Sequence, residues 1–239
     1  MNKTYAFTDL HGMYSLWKQI KEYCDETDTL IFLGDACDRG EDGIKIIKEL
    51  LQDKRVIYLK GNHEKFLEDF GGDVMCGFLQ SAYLWRGNGG FPTIKDFEKI
   101  SDENTQLWFL RKISQLPLKM EYVNKKGQKI LLSHAGYTPT LEPTNSEDFL
   151  WDREHCYQSW WPIEEEHKNT YVVHGHTPTY YLKRLIFSMG NDFIQETEKS
   201  PIIYCQGHKI GLDLASFESK AVILFDLDEL KVEKVFTTK

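Results

Sequence analysis

The sequence reads as an α/β protein, two packed β-sheets with helices on the outside. Three features say so. Strand and helix patterns alternate through the first two-thirds, polar loops follow five of the strands, and the tail breaks into short alternating strands. Lys3 to Thr8 alternates and stops at Asp9, and Met13 to Tyr23 then carries Leu16, Trp17, Ile20 and Tyr23 at helical spacing. Thr29 to Leu33 is a short apolar strand, Glu41 to Leu51 repeats the helical pattern through Ile44, Ile47, Leu50 and Leu51, and Arg55 to Leu59 is a third strand. Such strand–loop–helix units in series predict a largely parallel arrangement with covering helices. Glu64 to about Leu116 reads as mainly helical, broken at Gly71-Gly72 and at Arg86-Gly87-Asn88-Gly89-Gly90. Gln128 to Leu132 and Thr170 to Val173 are further strands. In the tail, Ile202 to Tyr204, His208 to Leu212, Ala221 to Phe225 and Val232 to Phe236 read as short antiparallel strands.

With 239 residues, no internal repeat and no Pro/Ser/Gly-rich linker, residues 1–239 are expected to form one domain. Hydrophobic residues make up 41% and charged residues 28%, which allows a buried core and excludes disorder of the whole chain. The net charge of -8 gives no general attraction to nucleic acid or to an anionic membrane, so any bound anion must meet a local positive centre. No apolar run approaches the roughly 20 residues that span a bilayer, and Met1 to Tyr5 has no signal-peptide character. The 5 cysteines contain no C-x-x-C pair. They read as reduced, mostly buried thiols of a cytoplasmic protein, and metal binding by them is disfavoured.

The strand ends carry the chemistry. Asp9-Leu10-His11-Gly12, Gly34-Asp35-Ala36-Cys37-Asp38-Arg39-Gly40 and Gly61-Asn62-His63-Glu64 follow the first three strands. Ser133-His134-Ala135-Gly136 and Gly175-His176-Thr177-Pro178 follow two later ones. Any one Asp or His in such a loop is more often a cap or a turn former than a ligand. Five of these loops at strand ends change that balance, because ligands of open α/β sheets gather outside the carboxyl ends of the strands.

The residue types fit a two-metal centre. In Asp9-x-His11, alternate residues of an extended segment would point the same way and reach one ion. Asp35, with two carboxylate oxygens, could bridge two ions, and Asn62, His134 and His176 could complete the second. Mixed imidazole and carboxylate ligation suits Mn, Fe or Zn better than Ca or Mg. Two ions roughly 3.5–4 Å apart would clamp the attacking and leaving oxygens of a phosphoryl displacement.

Together D-x-H-G, G-D-x-x-D-R-G, G-N-H-E, H-A-G and G-H resemble the phosphoprotein phosphatase branch of the metallophosphoesterases, above all the compact bacterial and phage lambda-type members. The resemblance runs from about Asp9 to Ala215. It implies the α-β-β-α sandwich of the calcineurin-like type, with a dinuclear site at the carboxyl ends of the strands. One ion would be held by Asp9, His11 and bridging Asp35, the other by Asp35, Asn62, His134 and His176, with manganese the first choice. His63 would be the general acid, oriented by Asp38, and Arg39 and Arg153 would hold the phosphate. Arg153 lies in Trp151-Asp152-Arg153-Glu154, similar to the lambda-type segment with a second phosphate-binding arginine. Arg86 to Gly90 resembles that group's glycine-rich loop near the site. Thr8 stands where glycine is usual, and the stretch from Phe187 to Cys205 has no counterpart in the pattern.

The function implied is a Ser/Thr phosphoprotein phosphatase that hydrolyses phosphate directly with a metal-bridging hydroxide. Its substrate would be a phosphorylated protein or a small phosphoester, with no nucleic acid or membrane partner. The alternative is a hydrolase of dinucleotide polyphosphates, resembling bis(5'-nucleosyl)-tetraphosphatases. Those commonly lack the aspartate of the D-R-G loop, whereas Asp38 is present. A non-enzymatic scaffold ranks last, since every expected ligand is intact. Among the remaining residues, His174 either faces the site, as a supporting group or an extra ligand, or is a buried, hydrogen-bonded histidine, while His155, His167 and His208 read as surface groups. Trp160-Trp161-Pro162 reads as packing, Glu164-Glu165-Glu166 as a solvated face, and Cys37 as a thiol inside the Asp35 loop.

Overall fold

The computed structural model describes residues 2–138, 145–157 and 167–239. The tryptophans and glutamates at 160–166 singled out above lie outside the described residues. β1 (Thr4–Phe7), α1 (Tyr14–Tyr23), β2 (Thr29–Phe32), α2 (Gly43–Gln52), β3 (Val56–Tyr58) and α3 (Asn62–Met75) follow one another as strand–helix units. α4 (Tyr83–Trp85), α5 (Phe91–Glu98) and α6 (Glu103–Ser114) lead to β4 (Lys119–Val123) and β5 (Lys129–Ser133). Then come α7 (Asp148–Trp151), α8 (Glu154–Tyr157), β6 (Thr170–His174) and α9 (Thr179–Ser188). β7 (Phe193–Ile194), β8 (Ile202–Tyr204), β9 (Lys209–Gly211), α10 (Ser216–Ser219), β10 (Ala221–Asp226) and β11 (Lys231–Thr237) complete the chain.

One sheet has the order β11-β10-β1-β2-β3, parallel where β1, β2 and β3 pair and antiparallel from β1 outward through β10. The other runs β4-β5-β6-β9-β8-β7, with β5, β6 and β9 parallel. Alternation along each strand sorts side chains into layers. Phe7, Leu30 and Phe32 face Trp17, Ile20 and Ile47 of the helices. Ala6, Ile31 and Leu33 face Ile130, Leu132, Val173 and Ile210 of the second sheet. Leu131 and Val172 point outward again, onto Leu182 and Ile186 of α9. The result is the four-layer α-β-β-α sandwich.

Three local expectations are corrected. α3 runs unbroken through Gly71-Gly72. Glycine inside a helix costs about 1 kcal/mol relative to alanine, but a Cβ at Gly71 would sit 2.5 Å from Leu110 Cδ2, so its bareness lets α6 pack close. β9 pairs with β6 in parallel rather than belonging wholly to an antiparallel tail. β4 was not expected at all: it is an edge strand whose Lys119, Glu121 and Val123 face solvent. The stretch from Phe187 to Cys205 finishes α9 and adds β7 and β8 to the edge of the second sheet.

Candidate metal centre

The first two loops are laced together by backbone. Asp9 N–H donates to the Gly34 carbonyl at 3.0 Å, His11 to Asp35 at 2.9 Å and Gly12 to Ala36 at 2.8 Å. Gly40 N–H closes back on the His11 carbonyl at 3.0 Å. Gly12 (φ 70) and Gly40 touch so closely that a Cβ on Gly12 would lie 2.4 Å from the Gly40 carbonyl carbon. Asp9 and His11 therefore do not lie on an extended segment as expected: their φ values are 53 and 41. Asp35, Asp38, Arg39 and His176 are also left-handed, so six of the eleven non-glycine residues with positive φ among those described are expected site residues. Such conformations cost of order 1–3 kcal/mol each and persist where surrounding structure enforces them. Here the interlocked loop backbones enforce them.

Glu64 anchors the third loop. Fully buried, its carboxylate accepts from Asp35 N–H at 2.8 Å, Ala36 N–H at 2.7 Å, Gly61 N–H at 2.8 Å and the Tyr58 hydroxyl at 2.8 Å. It is thus both the capping-box residue of α3 and the clamp on the Asp35 loop. Sequence reasoning gave it no role, although G-x-x-E ahead of a helix was the available signal.

The expected ligands converge. His11 Nε2 lies 3.7 Å from Asp9 Oδ1 and 3.7 Å from Asp35 Oδ2. His134 Nε2 lies 3.3 Å from Asp35 Oδ2 and 2.8 Å from Asn62 Oδ1, and His176 Nδ1 is 2.9 Å from the same amide oxygen. Among the described residues Asp35 belongs to two of the three compact groupings of potential ligands, one with His11 and His63, the other with Asp9 and His134; the third joins His155, Cys156 and His174. The donor set fits divalent metal. His11 Nδ1 donates to the Cys37 carbonyl at 3.0 Å and His134 Nδ1 to the Leu33 carbonyl at 2.8 Å, which leaves each Nε2 to face the carboxylates. Lone pairs of Asn62, Asp35, His134 and His176 then meet at close range and need a cation or proton between them. His176 Nε2 is buried without a partner among the described residues.

The electrostatics agree. Burial, then the neighbouring charges of His63 and Arg39, hold His11 well below the ordinary histidine value. Burial, His134 and Arg153 do the same to His176, keeping both as neutral imidazoles, the ligand form. Burial opposes protonation of His134 too, yet Asp35 and Asp9 pull it up to about 9, so the two carboxylates favour positive charge at this position. Burial raises Asp9 to about 6, with Asp35 adding and His134 opposing. For Asp35, burial would favour the neutral acid, but His134, His63 and His11 drive it well below the usual range.

His63 Nδ1 lies 2.6 Å from Asp38 Oδ2, and the Trp85 indole N–H donates to the same oxygen at 2.8 Å. Burial lowers the imidazole's proton affinity, but Asp35 and Asp38 outweigh it and the net shift is upward. Arg39 reaches over both rings, one guanidinium nitrogen on His11 Nε2 and the other 3.3 Å from His63 Nε2. The Arg39 N–H donates to the Gly89 carbonyl at 2.9 Å, which places the glycine-rich loop against the site. Arg153 is half-buried, with Nε unpartnered among the described residues.

Other residues support the loops. The Thr8 hydroxyl donates to Asp9 Oδ2 at 2.5 Å without a positive φ, so threonine replaces the usual glycine at no backbone cost. His155 is buried, not at the surface: its Nε2 donates to the Ala135 carbonyl at 2.5 Å, and its ring fills the space where a Gly136 side chain would be. His174 pairs with the Tyr204 hydroxyl at 2.9 Å, a buried support one loop behind His176. His167 and His208 are half-buried. Cys37 is buried and its thiol is pushed well up by burial and by Asp38, the opposite of a reactive thiolate.

A model of calcineurin-like phosphoesterases matches residues 3–210. The chain belongs to that family. As a calcineurin-like phosphoesterase it is a phosphoester hydrolase of a family that uses divalent metal ions. It is 31% identical over 159 residues to serine/threonine-protein phosphatase 2 of Salmonella typhimurium, covering 61% of this chain and 66% of that protein. It is 25% identical over 200 residues to bis(5'-nucleosyl)-tetraphosphatase PrpE [asymmetrical] of Oceanobacillus iheyensis, covering 71% of this chain and 75% of the relative. A structure solved as that of a candidate diadenosine tetraphosphatase shares the fold at TM-score 0.63 and 13% identity, covering 100% of this chain and 94% of the other.

Proposed function

We propose that this phosphoesterase is a Ser/Thr phosphoprotein phosphatase working through two divalent ions, manganese first, with residues 1–239 acting as one cytoplasmic domain. Support for one domain is that the site draws side chains from both sheets. No helix among the described residues is long and apolar enough to cross a membrane.

The observation that carries the reading is the buried Asp38–His63 pair, 2.6 Å apart. Asp9, His11 and Asp35 would hold one ion, and Asp35, Asn62, His134 and His176 the other; bound ions polarise phosphoryl oxygens and acidify water. Asp38 accepts the hydrogen bond of His63 Nδ1–H and leaves Nε2 to protonate the departing oxygen. A serine or threonine alkoxide is a poor leaving group and needs that proton. The phosphate leaving group of a dinucleotide polyphosphate needs it far less. Arg39 and Arg153 hold phosphate oxygens, the planar fork giving two parallel hydrogen bonds. The contact between Arg39 and His63 sets the phosphate-binding donor beside the acid.

A second reading, hydrolysis of dinucleotide polyphosphates, is favoured by the likeness to the tetraphosphatase of Oceanobacillus iheyensis. Metal-loaded protein assayed on phosphoserine and phosphothreonine peptides beside diadenosine tetraphosphate separates the two. Faster turnover of the dinucleotide by kcat/KM overturns the protein-phosphatase reading.

A further inference from the structure

α9 begins three residues past His176 and forms one wall of a groove of about 740 Å³. Thr179, which lines the groove, donates its N–H to the Asp213 carbonyl at 2.8 Å. Leu214 also lines it, two residues before Ser216, whose hydroxyl bonds the Asp9 carbonyl. The groove therefore opens beside the loops that carry Asp9 and His176. Its other wall comes from Phe193, Gln195, Glu198 and Lys199, in a stretch that the family pattern does not account for. That wall includes β7, the last strand of its sheet.

The lining is unusual for a chain of net charge -8. Lys183 and Arg184 on α9 and Lys199 opposite are all exposed and face a single acid, Glu198. None of the three is in an ion pair among the described residues. Between them stand aromatic side chains in water, Tyr180 at 50% and Phe187 at 76% exposure. Exposed apolar surface rimmed by charge marks an interaction site.

We propose that this groove docks the acidic, apolar-bearing segment that flanks the phosphorylated residue of a protein substrate. The inference rests on the protein-phosphatase reading and names the kind of phosphoprotein. A ten-residue helix is about 15 Å long at 1.5 Å per residue, the reach of about four extended residues. Cations on both walls match carboxylates spaced along such a segment better than the single anionic cluster of a polyphosphate.

The test is steady-state kinetics of metal-loaded protein on two phosphothreonine peptides, one flanked by Asp, Glu and Phe, the other by Gly and Lys. Diadenosine tetraphosphate and p-nitrophenyl phosphate complete the set. Wild type should show a KM for the acidic peptide about tenfold below that for the basic one, a gap that shrinks with added salt. Lys183→Glu with Arg184→Glu should erase most of the gap and leave kcat and p-nitrophenyl phosphate turnover unchanged. Phe187→Ser should raise KM for the acidic peptide alone. Equal KM for the two peptides in wild type, or no effect of either variant, overturns the groove. A KM change confined to the dinucleotide overturns the peptide occupant. Hydrolysis of p-nitrophenyl phosphate with neither peptide accepted overturns instead the reading on which the groove rests.

Discussion

Asp38 Oδ2 accepts hydrogen bonds from His63 Nδ1 at 2.6 Å and from the Trp85 indole at 2.8 Å, so one carboxylate oxygen fixes an imidazole from one side and is itself fixed from the other. Trp85 is fully buried in the helical layer, which makes the orientation of His63 a property of the core. Trp85→Phe would remove the second bond while keeping most of the packing. It should lower turnover of phosphoserine peptide several-fold, with p-nitrophenyl phosphate nearly unaffected. Equal effects on the two substrates would mean that the indole only fills space.

Asp35 is shared by the groupings with His11 and with His134, so Asp35→Asn should lose metal and activity together. Metal analysis of wild type should return close to two equivalents, and chelation should abolish hydrolysis reversibly. Burial pushes the Asp9 carboxyl up to about 6. An ion held by Asp9 would need the carboxylate and a proton would compete below that pH, so metal affinity should fall as pH drops through 6. Full activity in metal-free protein would end the metal mechanism.

Glu64 offers a stability prediction. Glu64→Ala would strand the buried N–H groups of Asp35, Ala36 and Gly61. Each stranded donor costs about 1–3 kcal/mol. At about 2–4 °C per kcal/mol for a chain of this size, Tm should drop by 6 °C or more. A thermal scan showing less than 3 °C would mean that water replaces the carboxylate.

The arginines are tested by phosphate itself. Arg39→Ala and Arg153→Ala should each weaken inhibition by inorganic phosphate or vanadate, and Arg→Lys should restore only part, since a point charge cannot reproduce the fork. Wild-type inhibition in either alanine variant would remove that residue from the phosphate site.

Much of this was legible because each parallel strand is a short apolar run that ends at a D, N or H motif, so pattern and chemistry mark the same boundary. The three-strand core of the first sheet and the convergence of Asp9, Asp35 and Asn62 followed from that. Left-handed backbone at Asp9 and His11 could not be read, because distant Gly34, Asp35 and Gly40 impose it. His155 sits among polar neighbours in sequence and looks exposed there; its burial depends on Gly136, nineteen residues earlier, leaving room for the ring. β4 escaped notice because an edge strand with Lys119 and Glu121 outward lacks a strong apolar run.

The sharpest prediction separates the chemistry of the leaving groups. Nitrophenolate departs readily, whereas a serine alkoxide needs a proton as the P–O bond breaks. Positioned general acids contribute about 10²–10⁴-fold. His63→Asn should therefore depress turnover of phosphoserine peptide far more than turnover of p-nitrophenyl phosphate. Asp38→Asn should show a milder form of the same contrast, since it keeps the imidazole and the larger pull of Asp35 but removes the second charge that raises its proton affinity. Metal content must be measured in both, because His63 adjoins Asn62 and its own N–H donates to Asp35 Oδ1 at 3.0 Å. With two ions retained and chemistry limiting the rate, equal losses on both substrates would rule out His63 as the leaving-group acid. His63 would then act on the phosphate instead, alongside Arg39, whose guanidinium already lies 3.3 Å from its Nε2.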